Sequence, residues 1–292
     1  MATIDKTFAD ICNEVLKNGK EYENKRRGVK RLQIPSYTFR HEFKDGFPIL
    51  TNKKMSYKNI VGELIWFLRS DNNVKYLNDN GITIWNADAY NWHKKITENP
   101  LTQEEFNKLG SGSVGRNYSK QWRDFNGIDQ IQNLVDDMKA DIMGSRLIVS
   151  AWNPSELDQT ALPPCHIGFQ VIGSPLEDGT FGFELHWQQR AVDLFLGFGY
   201  NIASYATLAK ILEKITGYKA LAIEASAKCV HFYDNQYDAA KLLLSRDVNK
   251  HPNCDVFIPE FTDFESMDLN EFKLIGYTCD DAIKVDMLAP LQ

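Results

Sequence analysis

The chain's most reactive-looking residue is a cysteine behind two prolines, in Ala161-Leu162-Pro163-Pro164-Cys165-His166-Ile167-Gly168-Phe169-Gln170. Each proline fixes its own φ and restricts the residue before it, so Cys165 follows a stiff, extended lead-in. A rigid loop ending at a strand can present a nucleophile. The same residues also fit a small, inert, buried thiol. A working thiolate needs a cationic neighbour. Two sources are present: Arg190, in Gln188-Gln189-Arg190-Ala191-Val192-Asp193, and the basic loop Lys25-Arg26-Arg27-Gly28-Val29-Lys30-Arg31. Arginines also grip phosphate through paired donors, so the same side chains suit a phosphomonoester. Taken alone, the basic loop reads as a solvated charge run. His166 adjoins Cys165, but successive strand residues face opposite ways, which argues against a papain-like Cys/His pair. Glu63 is the other candidate. It sits among Ile60, Val61, Leu64 and Ile65 on an apolar helix, where a carboxylate is either paired or functional.

The elements that must position these groups follow from periodicity. Residues 6–17 read as an amphipathic helix ended by Asn18-Gly19. Residues 31–43 read as a strand, with Pro35 marking an edge or bulge. Asp45-Gly46-Phe47-Pro48 is a turn, and Ser56 is the N-cap of a long helix through Leu68. Ile82-Thr83-Ile84-Trp85 is a short apolar run. Residues 90–117 read as a long surface loop with a short helix. Residues 129–140 are helical in pattern, and 146–152, 167–172 and 181–187 are strand-like. A very apolar helix follows Gly197, and residues 219–232 form a strand. Asp234 caps a last helix through Leu244, and two short strands and a tail close the chain. Helices and strands mix without βαβ alternation, which predicts a single α+β domain over residues 1–292 with a mixed or mostly antiparallel sheet.

Composition sets outer bounds. The chain has 292 residues, 43% hydrophobic, which allows a sizeable core. A formal net charge of -6 argues against a nucleic-acid partner, although a local cation cluster can still hold one phosphate. The five cysteines lack any CxxC spacing, so they suggest neither a disulfide framework nor a metal site and fit a reducing cytoplasm (a host's, were the source viral). No apolar run reaches membrane-spanning length.

Several motifs, in order, carry a resemblance. They are Asp45-Gly46-Phe47-Pro48, Glu63-Leu64-Ile65-Trp66-Phe67, Thr83-Ile84-Trp85, Tyr118 with Gln121-Trp122-Arg123, Ser150-Ala151-Trp152, Leu162 through His166, Gln189-Arg190 with Asp193, Tyr200 through Tyr205, and His231 with Tyr233. Together they resemble thymidylate synthase and its hydroxymethylase relatives, from about Arg26 to Ala289. The resemblance implies that Cys165 adds as thiolate to C6 of a pyrimidine nucleoside monophosphate. The activated C5 then takes a one-carbon unit from 5,10-methylenetetrahydrofolate. It also implies that Tyr118 and Glu63 manage protons, and that Arg26 and Arg190 clamp phosphate. In the same pattern His231 and Tyr233 contact the sugar, Asp193 the pterin, and Trp85 walls the folate. Gln189 and Ser204 lie beside the site. Arg146 reaches into a partner's site, which implies a homodimer. Asn201 suits uracil, because a carboxamide can donate to O4 and accept from N3–H; cytosine-specific relatives carry Asp there.

The chain also departs from the synthase pattern. Arg26-Arg27-Gly28-Val29-Lys30 replaces Arg-Thr-Gly-Thr-Gly, and Ser145-Arg146 replaces paired arginines, with Lys30 or Arg27 as substitutes for the lost phosphate ligand. Ala191 replaces a serine, which leaves a ribonucleotide open. Asn117 and Ser119 flank Tyr118, Phe198-Gly199-Tyr200 replaces Leu-Pro-Phe, Cys229 replaces Asp, and Asp88 stands where a second tryptophan would flank the folate. The tail Leu288 through Gln292 overruns the usual end, where synthases close the site. A synthase must exclude water until hydride arrives, whereas a hydroxymethylase admits it. These departures favour 5-hydroxymethylation of dUMP. The alternatives are reductive methylation by a synthase proper, hydroxymethylation of dCMP or CMP, and a non-catalytic nucleotide-binding relative.

Overall fold

The computed structural model describes residues 4–24 and 28–286. Helix α1 (Ile4–Asn18) buries Phe8, Ile11, Cys12 and Val15 along one stripe. Strands β1 (Lys20–Asn24) and β2 (Val29–Glu42) follow as an antiparallel hairpin. Then comes α2 (Tyr57–Leu68), where the Ser56 hydroxyl accepts the Asn59 N–H as N-cap. Helices α3 (Lys75–Asp79), α4 (Asn86–Ile96), α5 (Gln103–Leu109), α6 (Tyr118–Arg123) and α7 (Gln130–Ala140) follow. Strands β3 (Ile148–Ser150), β4 (His166–Pro175), β5 (Phe181–Gln189) and the two-residue β6 (Val192–Asp193) lead into a π-helical turn, Leu194–Phe198. Helix α8 (Gly199–Thr216), strand β7 (Lys219–Tyr233), α9 (Tyr237–Leu244) and a small pair, β8 (Asp255–Phe257) and β9 (Lys273–Ile275), complete the order.

The sheet runs β1-β2-β7-β5-β4-β3, with β6 continuing beside β7. Neighbours are antiparallel except β5–β7 and β6–β7, for which α8 supplies the crossover that parallel pairing requires. The result is the expected single α+β domain with a mixed sheet. Helices α1, α2 and α8 and the π-helical turn pack one continuous core against the sheet through residues such as Ile11, Trp66, Phe198 and Leu212. The other face carries Ile148, Gln170, His186, Glu224 and Arg40 in one row of the register, and it stays open to solvent.

A break crosses four strands at one level. On β2 the ladder passes from Ile34↔Val230 to Ser36↔Lys228, skipping Pro35 and Cys229. Cys229 has φ 47°, in the left-handed region. The β5 pairing stops at Gln189↔Ala227 and resumes in β6 at Val192↔Val230. On β4 the register shifts between His166 and Gly168. The break moves the inward alternation of β7 by one residue: Ala225 and Ala227 join the core before it, Val230 and Phe232 after it. His231 and Tyr233 therefore turn to the opposite face. Pro35 thus marks a bulge, as expected, and it lies just past Gln33, where the pairing with β1 ends and β7 remains the partner of β2.

Three segments differ from their sequence patterns. Of the loop expected over 90–117, residues through Ile96 belong to α4, because Trp92 packs inward a turn beyond Ala89. The strand over 146–152 shrinks to three residues, since β3 is the edge strand and pairs with β4 only there. Asp234 opens a 3-10 turn (Asp234–Gln236) instead of capping α9 directly. Gly199, which breaks the family pattern, lies where a Cβ would stand 2.7 Å from Leu50 Cδ1, so packing explains it.

Candidate active site

The sheet break is where the candidate residues meet. Cys165 is half-buried at the mouth of β4. Its backbone N–H donates to the Tyr118 hydroxyl at 2.7 Å, and the His166 N–H reaches the same oxygen at 3.3 Å. Tyr118, in the first turn of α6, is 6% exposed. Burial, and next the neighbouring Cys165 thiol, push its phenol well above the ordinary range. Its oxygen accepts two N–H bonds, so its own proton is available to a third partner.

Arg190 is bound to the segment that presents the thiol. Its backbone N–H donates to Cys165 O at 2.9 Å. Its Nε donates to Pro164 O at 2.7 Å and Nη2 to Pro163 O at 2.9 Å. The guanidinium lies 5.3 Å from the Trp152 ring centroid. The two prolines stiffen the loop, and the arginine ties their carbonyls to β5. Among the described residues, Nη1 is left to meet an anion.

Gln189, Asn201 and His166 form a polar chain beside the thiol. Gln189 Nε2 donates to Asn201 Oδ1 at 2.9 Å, and His166 bonds the Asn201 side chain. Burial lowers His166 to about 4, so it is neutral at physiological pH. It packs against the rings of Tyr118 and Tyr205. A neutral imidazole committed to Asn201 is a poor base for Cys165.

Glu63 projects from α2 to a wall of aromatic rings. Trp85 Nε1 donates to Glu63 Oε1 at 2.6 Å. Desolvation outweighs that bond and raises the carboxyl to about 7. Phe67 lies 5.0 Å from Tyr118 and 6.3 Å from Trp85, centroid to centroid, so Glu63 and Tyr118 share one apolar wall. A carboxyl poised near neutrality beside a protonated phenol can accept and return protons.

Asp193 and His231 are partners across β6 and β7, and the His231 and Tyr233 rings meet edge-on at 4.9 Å. The Asp193 carboxylate accepts the Leu196 N–H at 3.0 Å and so caps the π-helical turn. Lys53 holds the same turn through one of its carbonyls. It is 5% exposed, and its Nζ donates to Phe195 O at 2.6 Å. Burial lowers it to about 8. Sequence reasoning missed Lys53, because Asn52-Lys53-Lys54 looks like a solvated run. It also missed Gln236, hidden in a polar turn.

The remaining candidates stand apart. Arg146 is exposed in the turn before edge strand β3. Asp88 is half-buried in the first turn of α4, just beyond Trp85. Arg26 and Arg27, like the tail from 287, lie outside the described residues. Lys30, expected as a substitute phosphate ligand, instead pairs with Glu21 across the hairpin at 3.0 Å, and its side chain is 62% exposed. Asn117 and Ser119 also have a local explanation: Asn117 Oδ1 accepts the Ser119 N–H and hydroxyl and caps α6.

The thymidylate synthase family model matches residues 6–289. A thymidylate synthase of Aster yellows witches'-broom phytoplasma is 33% identical over 291 residues, 96% of this chain and 99% of the relative. Thymidylate synthases of Mycoplasma pneumoniae and Mycoplasma genitalium are each 36% identical, covering 92% and 93% of this chain and 97% and 96% of their own lengths. With that match spanning nearly its whole length, the chain belongs to the thymidylate synthase family.

Proposed function

We propose that the protein performs the reductive methylation of dUMP to dTMP. The observation that carries this reading is the convergence of Cys165, Tyr118 and Arg190 on one loop. The thiol segment is held by the Tyr118 hydroxyl on one side and the Arg190 guanidinium on the other. Cys165 supplies the nucleophile for C6, and Arg190 Nη1, with Arg26, takes the phosphate. Asn201, oriented by Gln189, reads the uracil edge, and His231 and Tyr233 take the sugar. Tyr118 and Glu63 move the protons at C5 and around the folate. The site fits a reduced folate: Trp85 offers a ring wall, and Asp193 offers a fixed carboxylate to pterin N–H donors. Bound there, 5,10-methylenetetrahydrofolate supplies both the one-carbon unit and the hydride.

Two lines favour methylation over the hydroxymethylation suggested by the sequence departures. The relatives quoted above bear the name thymidylate synthase. Several departures also have packing or capping reasons that leave the chemistry untouched: Asn117 and Ser119 at the α6 cap, Gly199 against Leu50, and Lys30 on Glu21. Asp88 in place of a folate-flanking tryptophan is the residue that still favours water entry. The test is incubation with dUMP and 5,10-methylenetetrahydrofolate. Dihydrofolate formation, seen as an absorbance rise, together with a methyl product by mass is the expected result. A hydroxymethyl product without dihydrofolate would reverse the choice.

A homodimer belongs to the same proposal. The open sheet face carries Ile148 and Ile172, 55% and 41% exposed. Ile148 also lines a depression of about 500 Å³ that includes Trp152 and Arg190. A second copy covering this face would bring its Arg146 toward the phosphate end of the site. Sedimentation should give twice the chain mass of 33.5 kDa; a monomer at micromolar concentration would remove the dimer.

A further inference from the structure

We infer that Gln236 is a positioning residue that couples the folate and nucleotide halves of the site, an inference that rests on the proposed function. Its side chain is 1% exposed, in the turn between β7 and α9. Nε2 donates to both carboxylate oxygens of Asp193, at 3.0 and 3.1 Å. Oε1 accepts the Tyr233 backbone N–H at 3.0 Å. One carboxamide thus spans from the proposed pterin contact to the backbone of a proposed sugar contact. With the Leu196 N–H on Oδ1 as well, the carboxylate is held against rotation. A shift of Tyr233 when nucleotide binds reaches Asp193 through two hydrogen bonds and no flexible chain. Such coupling is reciprocal, so each ligand should tighten the other.

The experiment measures equilibrium binding of tetrahydrofolate with and without saturating dUMP. In the wild type, dUMP should raise folate affinity by about 5- to 150-fold. In Gln236→Leu the enhancement should fall to about threefold or less, while the dUMP affinity itself changes by no more than about threefold. Loss of the Tyr233 acceptor could unfold that variant, so Gln236→Glu is the second probe. It keeps the acceptor but sets a carboxyl against Asp193, and two adjoining carboxylates share a proton instead of both ionising. Its protonated form donates to Asp193 as the amide does. Folate binding by Gln236→Glu should therefore be weak above neutrality and recover toward the wild-type value as pH falls. Among the described residues, charged groups near the pair include Lys53, within electrostatic reach of Asp193, its sheet partner His231, Arg31 opposite Tyr233, and Asp234 of the same turn. The wild type measured in parallel is the reference for these groups. Variants that bind folate like the wild type, with full enhancement and no recovery in acid, would overturn the inference. If the wild type binds no tetrahydrofolate even with dUMP, the proposed function fails and the coupling falls with it.

Discussion

Cys165→Ser should abolish turnover, by at least about 10³-fold in kcat, while leaving the fold and dUMP binding nearly intact. A serine hydroxyl is too weakly acidic to attack C6 without a strong base. His166 is neutral and committed to Asn201. The bonds that shape the loop come from the backbone: Cys165 N–H to Tyr118, and Arg190 N–H to Cys165 O. Replacing the sulfur leaves them in place. The measurement is tritium release from C5 of labelled dUMP beside calorimetric dUMP affinity. Release above about a tenth of the wild-type rate would show that the covalent adduct is not the route.

Glu63→Gln should trade activity for stability, with a pH signature. Loss of a proton-handling carboxyl should lower kcat by about 10²- to 10⁴-fold. Stability should move the other way. The folded carboxyl sits at about 7 and its ordinary value is 4.5, so the folded state holds its proton more tightly. Between those values stability falls as pH rises, and above pH 7 the full penalty is present. A shift of this size corresponds to about 3 kcal/mol at pH 8, shrinking below about 1 kcal/mol at pH 5. The amide has no charge to desolvate, and its oxygen can still accept from Trp85. Denaturation midpoints of the two proteins should therefore diverge at pH 8 and converge at pH 5. A gap independent of pH would mean that Glu63 is ionised throughout and that its burial is compensated.

Much of the architecture was legible because its signals are local. The stripe of Phe8, Ile11, Cys12 and Val15 needs only a 3.6-residue period, and Ser56 needs only to precede an apolar run. The α4 region was not legible, because Asn86 through Ile96 is polar on most sides and is held by Trp85, Ala89 and Trp92 packing inward. Pro35 was legible as an irregularity. That its effect extends through Cys229 to three further strands depends on which strands lie beside it, and no local rule states that.

The candidate site divides the same way. Residue types and motif order by themselves proposed Cys165, Tyr118, Arg190, Asn201 and Glu63 for one chemistry, since each motif is a short run that can be read without the fold. Tertiary structure alone decided how those groups are tuned. Parallel pairing of β5 and β6 with β7 joins residues 193 and 231. The sheet break turns His231 and Tyr233 out of the core. Burial sets Glu63 near 7 and His166 near 4. Gln236 and Lys53, unremarkable in sequence, hold Asp193 and its turn. The physical reason is common to all four. Reactivity depends on distance and desolvation between residues far apart in the chain, and those quantities exist only once the sheet has brought them together.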